Sequence, residues 1–271
     1  WFNVIYDPYY GYTKVSTLAQ LEAAILTANN NIVFLNDITG DVTISNAVNI
    51  NGDGKTFTGK MTLKADVTIK NVNFDGKGYN GYAIETRGAN YVTIEDCTAK
   101  NYGYGFVQTA SGTVLTTVKN VTVVDCDYGI KIDYSNGVTM KNVTMTNTNI
   151  GIYDSNYTAK TYTIKNCEFD TAGASINIWE RNTTVTDTFV FEGKNQMSSL
   201  EMSANAKIMQ PARKSPDDLR ARNPKPAMPM QMPDMKAERR MLKVDIFLPI
   251  LTEYLRVQRK IRVRNAKSRA R

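Results

Sequence analysis

Histidine is absent from all 271 residues, which removes the side chain most used for proton transfer near neutral pH and for holding metals. Cysteine is scarce: Cys97, Cys126 and Cys167 are the only three, and without a Cys-x-x-Cys pair they argue against a zinc site. No apolar run is long enough to span a bilayer, and no leader pattern is present. Arginine is nearly missing before residue 207, where only Arg87 and Arg181 occur, against eleven beyond it. Proline follows the same division, with seven of eight from Pro211 onward, while all 17 glycines lie at or before Gly193. Residues 207–271 carry 18 Lys/Arg against 6 Asp/Glu, and residues 1–206 carry 15 against 20. The basic balance of the chain therefore belongs to its tail, and no nucleic-acid partner is expected for the rest.

What the first 206 residues do have is repetition. A phrase of Val-Thr-Ile, a polar residue and then Asn or Asp begins at Val67, Val92, Val121, Val138 and, with Tyr replacing Val, at Tyr162. Its steps are uneven: 29 residues from Val92 to Val121 and 17 from Val121 to Val138. A second phrase sets a small residue before an apolar one at Ala83-Ile84, Gly105-Phe106, Gly129-Ile130, Gly151-Ile152 and Ser175-Ile176, at steps of 22, 24, 22 and 24. Two columns at nearly one period predict stacked coils of β-strand. Alternation along each strand then buries Ile130 and Ile132 and turns Lys131 outward, and does the same for Ile176, Ile178 and Asn177. Stacking predicts one polar turn column of Asn71, Asp96, Asp125, Asn142 and Asn166, whose short side chains bond the backbone at the bend. The three cysteines follow those turn residues and are expected to point inward as small apolar groups. A Cys97–Cys126 disulfide requires their coils to be neighbours.

The ends are of other kinds. Residues 15–31 predict a short amphipathic helix with Leu18, Leu21, Ile25 and Ala28 on one face and Ser16 or Thr17 as N-cap. Such a helix covers the open end of a solenoid. The expected organisation is an N-terminal segment and capping helix over 1–31, coils over 32–206, and a basic Pro/Met-rich tail over 207–271. Three accounts fit the tail: a basic arm for nucleic acid or anionic lipid, a linker followed by a helix over about 237–264, or an appendage of no evolved function. The abrupt change of composition after Lys207 favours the last. The chain opens on Trp1 rather than Met, as a processed product or a piece of a longer protein would.

The helix, the apolar Ile32-Val33-Phe34-Leu35 and the Val-Thr-Ile-x-Asn coils together resemble right-handed parallel β-helix proteins of the pectate-lyase-like superfamily. The resemblance covers about residues 15–206 and implies an all-β solenoid; strand–crossover–strand connections independently favour the right hand. It also implies a bacterial secreted or cell-surface protein. Its polysaccharide hydrolases carry an Asn-Thr-Asp coil, an Asp-Asp pair, Gly-His-Gly and Arg-Ile-Lys, none of which occurs here. The lyase alternative would use Lys131 or Arg181 as base on a uronate polymer, with calcium as its only cofactor and Asp125 and Asp127 as the candidate ligands.

A binding strip without chemistry accounts for more of the residues. The water-facing column reads Glu85, Val107, Lys131, Tyr153 and Asn177, with Asp133, Trp179 and Arg181 beside it. Aromatic rings on adjacent coils stack on apolar sugar faces, while Lys131, Asp133 and Asn177 bond hydroxyls. Tyr102 and Tyr104, flanking Gly103 in the longest spacer, mark a second place for a partner surface. The expected function is structural display or adhesion to a glycan surface, with no metal or cofactor. The alternatives are the lyase and a phage fibre or spike module.

Overall fold

The computed structural model describes residues 7–110, 115–133, 135, 137–154, 159–178, 187–197, 200–201 and 207–209. Within Trp1–Pro211 the chain winds as a parallel solenoid of about seven turns. Between the end strands, the described coils lay strands on three sheets, and each strand pairs in parallel with one a coil earlier. Sheet I contains Asn30–Phe34, Val48–Asn51, Val67–Lys70, Tyr91–Glu95, the first half of Leu115–Val124, Thr161–Lys165 and Thr188–Glu192. Sheet II contains Thr56–Thr58, Asn73–Tyr79, Thr98–Tyr102 and the second half of Leu115–Val124. Sheet III contains Val42–Ile44, Met61–Leu63, Tyr82–Thr86, Gly105–Thr109, Tyr128–Ile132 and the second half of Glu168–Ile178. The continuous run Gly137–Asp154 bends through all three.

Alternation puts one side chain in two inside, and stacking makes each inner position a column. Sheet I buries Ile50, Ile69, Ile94, Val118, Met140 and Ile164 in register. Sheet III buries Ile84, Val107, Ile130, Ile152 and Ile176. Through the middle runs a chain of rings, with centroids 6.5 Å apart for Phe34–Phe57, 6.0 Å for Phe57–Phe74 and 5.8 Å for Phe74–Phe106. These spacings suit edge-to-face and tilted ring contacts.

The corner from sheet I to sheet II is made by Asn71, Asp96, Asn120, Asn142 and Asn166, all with φ between 52 and 54°. Only short polar side chains and glycine enter that region at little cost. The Asn120 amide donates to Asp96 at 2.8 Å and Asn142 to Asn120 at 2.8 Å, so the column is also a hydrogen-bonded ladder. The sequence reading had put Asp125 in this column; the structure puts Asn120 there. Asp125 belongs to a second corner, from sheet II to sheet III, with Asn101 and Asn147. The phrase beginning at Val121 is thus a sheet II strand, paired with Val143–Thr146 rather than with Val138. The true sheet I copy is Thr116–Asn120, which evens the uneven steps of 29 and 17 to 24 and 22.

The cysteines divide likewise. Cys97 and Cys167 share a column with Val72, Val121 and Val143, whereas Cys126 follows the second corner. All three are buried and free, so the Cys97–Cys126 bridge does not form. Burial pushes the Cys97 thiol up to about 12 and the Cys126 thiol to about 11.

At the N-terminal end, α1 spans Leu18–Ala24, shorter than the 15–31 expected. Thr17 caps it, its hydroxyl accepting from the Gln20 N–H, while the Gln20 side chain accepts from the Ser16 N–H at 2.6 Å. That reciprocal arrangement fixes the first turn. Leu21, Ala24 and Ile25 pack on the core, but Ala28 is exposed, and the next residue, Asn29, has φ 58°. Thr13–Val15 pairs with Ile32–Phe34 as a preceding strand. At the other end Lys207–Met209 pairs with Thr188–Val190. The rest of the expected tail, from residue 210, lies outside the described residues.

Candidate functional site

Sheet III carries the predicted strip, and its register fixes the membership. Glu85, Gln108, Lys131, Tyr153 and Asn177 are successive partners on its outer face. Val107, expected in this column, is fully buried and pairs with Ile84 and Ile130. The reason is a one-residue offset: Gly105 pairs with Tyr82 and Tyr128, not with the small residues that follow them. A Cβ on Gly105 would come 2.3 Å from the Tyr128 carbonyl oxygen, so the position requires glycine.

Because Gly105 has no side chain, the ring beside Tyr82 is supplied by Tyr104, with centroids 5.8 Å apart. One coil on, Tyr128 and Tyr153 lie 5.4 Å apart. Tyr104 is 48% exposed, Tyr128 and Tyr153 are half-buried, and Tyr82 is buried beneath them. Burial, then the charge of Asp133, pushes the Tyr82 phenol up. Burial also raises that of Tyr128, with Asp127 adding to it. These hydroxyls therefore stay protonated and can donate to an oxygen. Tyr102, paired with Tyr104 in the sequence reading as a partner surface, is instead a core residue, its hydroxyl donating to the Gly59 carbonyl at 2.9 Å.

Polar groups flank the rings. Asp133 accepts from the Gln108 amide at 2.6 Å and faces Lys131 at 3.6 Å, joining two coils. Glu85 closes the lower end: its buried carboxylate meets Arg87 at 2.6 Å and Lys60 at 3.3 Å. Burial works to raise the Glu85 carboxyl, but Arg87 and Lys60 outweigh it and hold it below the usual carboxylate range. Asp125 and Asp127, the calcium candidates of the lyase reading, are engaged by Asn147 and Asn149, the latter bond 2.9 Å long. The structure thus brings Lys131, Asp133, Tyr153 and Asn177 onto one face. Trp179 and Arg181 lie outside the described residues.

Sequence reading missed Gln108, hidden by the offset, and the tyrosines as a group, although Tyr82, Tyr104 and Tyr128 each precede a member of the small-residue column. It also missed a buried polar cluster at the corner from sheet III to sheet I. Asp154 occupies the inward rung between Ile132 and Ile178. Lys160 lies 2.7 Å from both of its carboxylate oxygens, and Tyr162 donates to one of them. The Lys160 and Asp154 side chains are 0% and 3% exposed. Asp187 accepts from the Lys160 backbone N–H at 2.9 Å, and Tyr162 stacks on Phe189 with centroids 4.4 Å apart. Asp154 directly follows Tyr153 in the chain.

No curated protein matches the chain. Among solved structures it is similar to "L. reuteri 53608 SRRP", at 15% identity and a TM-score of 0.46, covering 73% of this chain and 95% of that one. The family described as "Right handed beta helix region" matches residues 22–190. That match covers more than half of the chain, and the chain belongs to the right-handed β-helix family.

Proposed function

We propose that the protein is a non-catalytic module of a secreted or cell-surface protein that holds an extended glycan along the outer face of sheet III. The observation that carries this reading is the tyrosine ridge, with Tyr104, Tyr128 and Tyr153 rising coil by coil beside Gln108, Lys131, Asp133 and Asn177. Coils repeat at about 4.8 Å, close to the length of one sugar unit in an extended chain. Each unit therefore meets one coil's ring and one coil's polar group. A face that runs along the coil axis over several coils suits a polymer rather than a small molecule. Trp179 and Arg181 are kept as candidate ligand residues in this proposal.

The full-length protein on a panel of neutral and acidic glycans is expected to bind a linear chain. The Tyr104→Ala/Tyr128→Ala double variant is expected to lose about tenfold or more in affinity, the equivalent of about 1.4 kcal/mol, with an unchanged circular dichroism spectrum. Equal affinity of the variant and the parent protein would remove the ridge as the binding surface.

A further inference from the structure

The outer face of sheet I carries a second ordered array, unrelated to the tyrosine ridge. Lys119, Lys141 and Lys165 are register partners on three successive coils. Two residues earlier on each strand Thr117, Thr139 and Thr163 form a parallel column of half-buried outward hydroxyls. The phrase Thr-x-Lys-Asn is thereby displayed on three successive coils, with a fourth copy at Thr68–Asn71 on the same sheet.

Like charges on directly paired strands oppose folding. Elsewhere in this row the sequence avoids that cost by alternation. Glu95 stands between Lys70, 3.0 Å away, and Lys119, to which it also bonds. Lys165 is answered by Glu192 at 2.9 Å. Lys141 is not: it is exposed, lies between two lysines, and has no carboxylate partner among the described residues. Down the same face, an open groove lined by Asn49, Asp66, Thr68, Thr93 and the 58% exposed ring of Tyr91 ends the hydroxyl column.

We propose that this face is a docking track for a linear acidic polysaccharide, its negative groups meeting the Lys119–Lys141–Lys165 row and its hydroxyls the threonine column, with a sugar ring seated against Tyr91. Lysine suits the task because its ammonium is a compact charge on a flexible stem that adapts to an anion's position. A single-stranded nucleic acid is disfavoured because it needs an aromatic platform at nearly every base, and Tyr91 is the one exposed ring of the groove. The track lies on a different sheet from the tyrosine ridge and does not depend on it.

The test compares two polymers of one extended backbone, carboxymethylcellulose and neutral hydroxyethylcellulose, by affinity electrophoresis of the full-length chain at low ionic strength. Binding to the charged polymer alone is expected. Lys141→Glu is expected to weaken it by about tenfold, since it inverts the centre of the row. Lys77→Glu, an equal change of charge at an exposed residue away from the row, is expected to weaken it by no more than about twofold. The basic segment beyond residue 210 is present in every variant. Should that segment carry the binding, Lys141→Glu and Lys77→Glu behave alike and the proposal is overturned. Equal retention on the neutral polymer, or full displacement by single-stranded DNA, also overturns it. The Tyr104→Ala/Tyr128→Ala protein keeps its retention on carboxymethylcellulose if the track is real, so failure of either surface is seen separately.

Discussion

At the scale of single residues, the most unusual choice in the chain is Asp154. Its rung neighbours are Ile132 and Ile178, and an isoleucine there would continue the column without any polar group to satisfy. Lys160 and Tyr162 both bond the buried carboxylate and offset the cost of placing it there. Removing one partner of a buried pair leaves a charge without its counter-ion, whereas replacing both by apolar groups is often neutral or stabilising. Lys160→Met is therefore expected to cost about 3 kcal/mol in urea denaturation, the low end of the range for broken buried pairs because Tyr162 still donates. The Asp154→Ile/Lys160→Met double variant is expected to recover most of that loss. A double variant as unstable as the single one would mean the cluster holds the fold by more than its own charge balance. Stability regained together with weakened glycan binding would show that the pair orients Tyr153, its sequence neighbour, rather than the coil as a whole.

At the scale of the strand and its corner, the asparagine column decides where each coil turns. Asn142 has φ 53°, donates to Asn120 and accepts from Asn166 at 3.4 Å. Alanine there meets the left-handed region with a Cβ and without the ladder, at a cost of about 2 kcal/mol. Glycine loses the ladder but enters the region freely, so Asn142→Gly is expected to be the milder change by about 1 kcal/mol. Thermal melting of the two variants checks the order, and a more stable alanine protein would contradict the conformational account. The same corner chemistry explains what the sequence hid. The sheet II segments beginning at Val121 and Val143 follow the grammar of sheet I, an apolar residue alternating with Thr before an Asn or Asp, so Val121–Asp125 reads like Val67–Asn71. Only the uneven steps on either side of Val121 betray that it is the next strand of the same coil. The Gly105 offset was equally invisible, because pairing with Tyr82 and Tyr128 depends on how closely two backbones approach. Lys131, Tyr153 and Asn177 were legible because each directly follows the buried isoleucine of the small–apolar phrase; Gln108 was not, because at Gly105-Phe106 that phrase sits one residue early and Val107 is the partner of Ile130. The Asp154 cluster spans a corner, where period-two reasoning stops.

At the scale of the whole molecule, the solenoid is held almost entirely by contacts between one coil and the next. Stability in such an architecture is a sum of coil and interface terms, and damage stays near its source. The phenylalanine run tests how far that holds here, since Phe34, Phe57, Phe74 and Phe106 form one continuous stack across several coils. Phe57 is fully buried, and Phe57→Ala is expected to cost about 3–5 kcal/mol. Hydrogen exchange followed by mass spectrometry should show the gain in exchange concentrated in residues 30–80, where the strands paired with Thr56–Thr58 and their neighbours lie. Residues 137–154, several coils away, should keep the parent protein's protection. Equal loss of protection in both regions would instead mean that the ring stack and the corner ladders couple the coils into one cooperative unit. The proposed glycan surfaces depend on the outcome. Binding faces built on weakly coupled coils keep their local geometry when a distant coil opens, whereas a fully cooperative rod presents all of its columns or none.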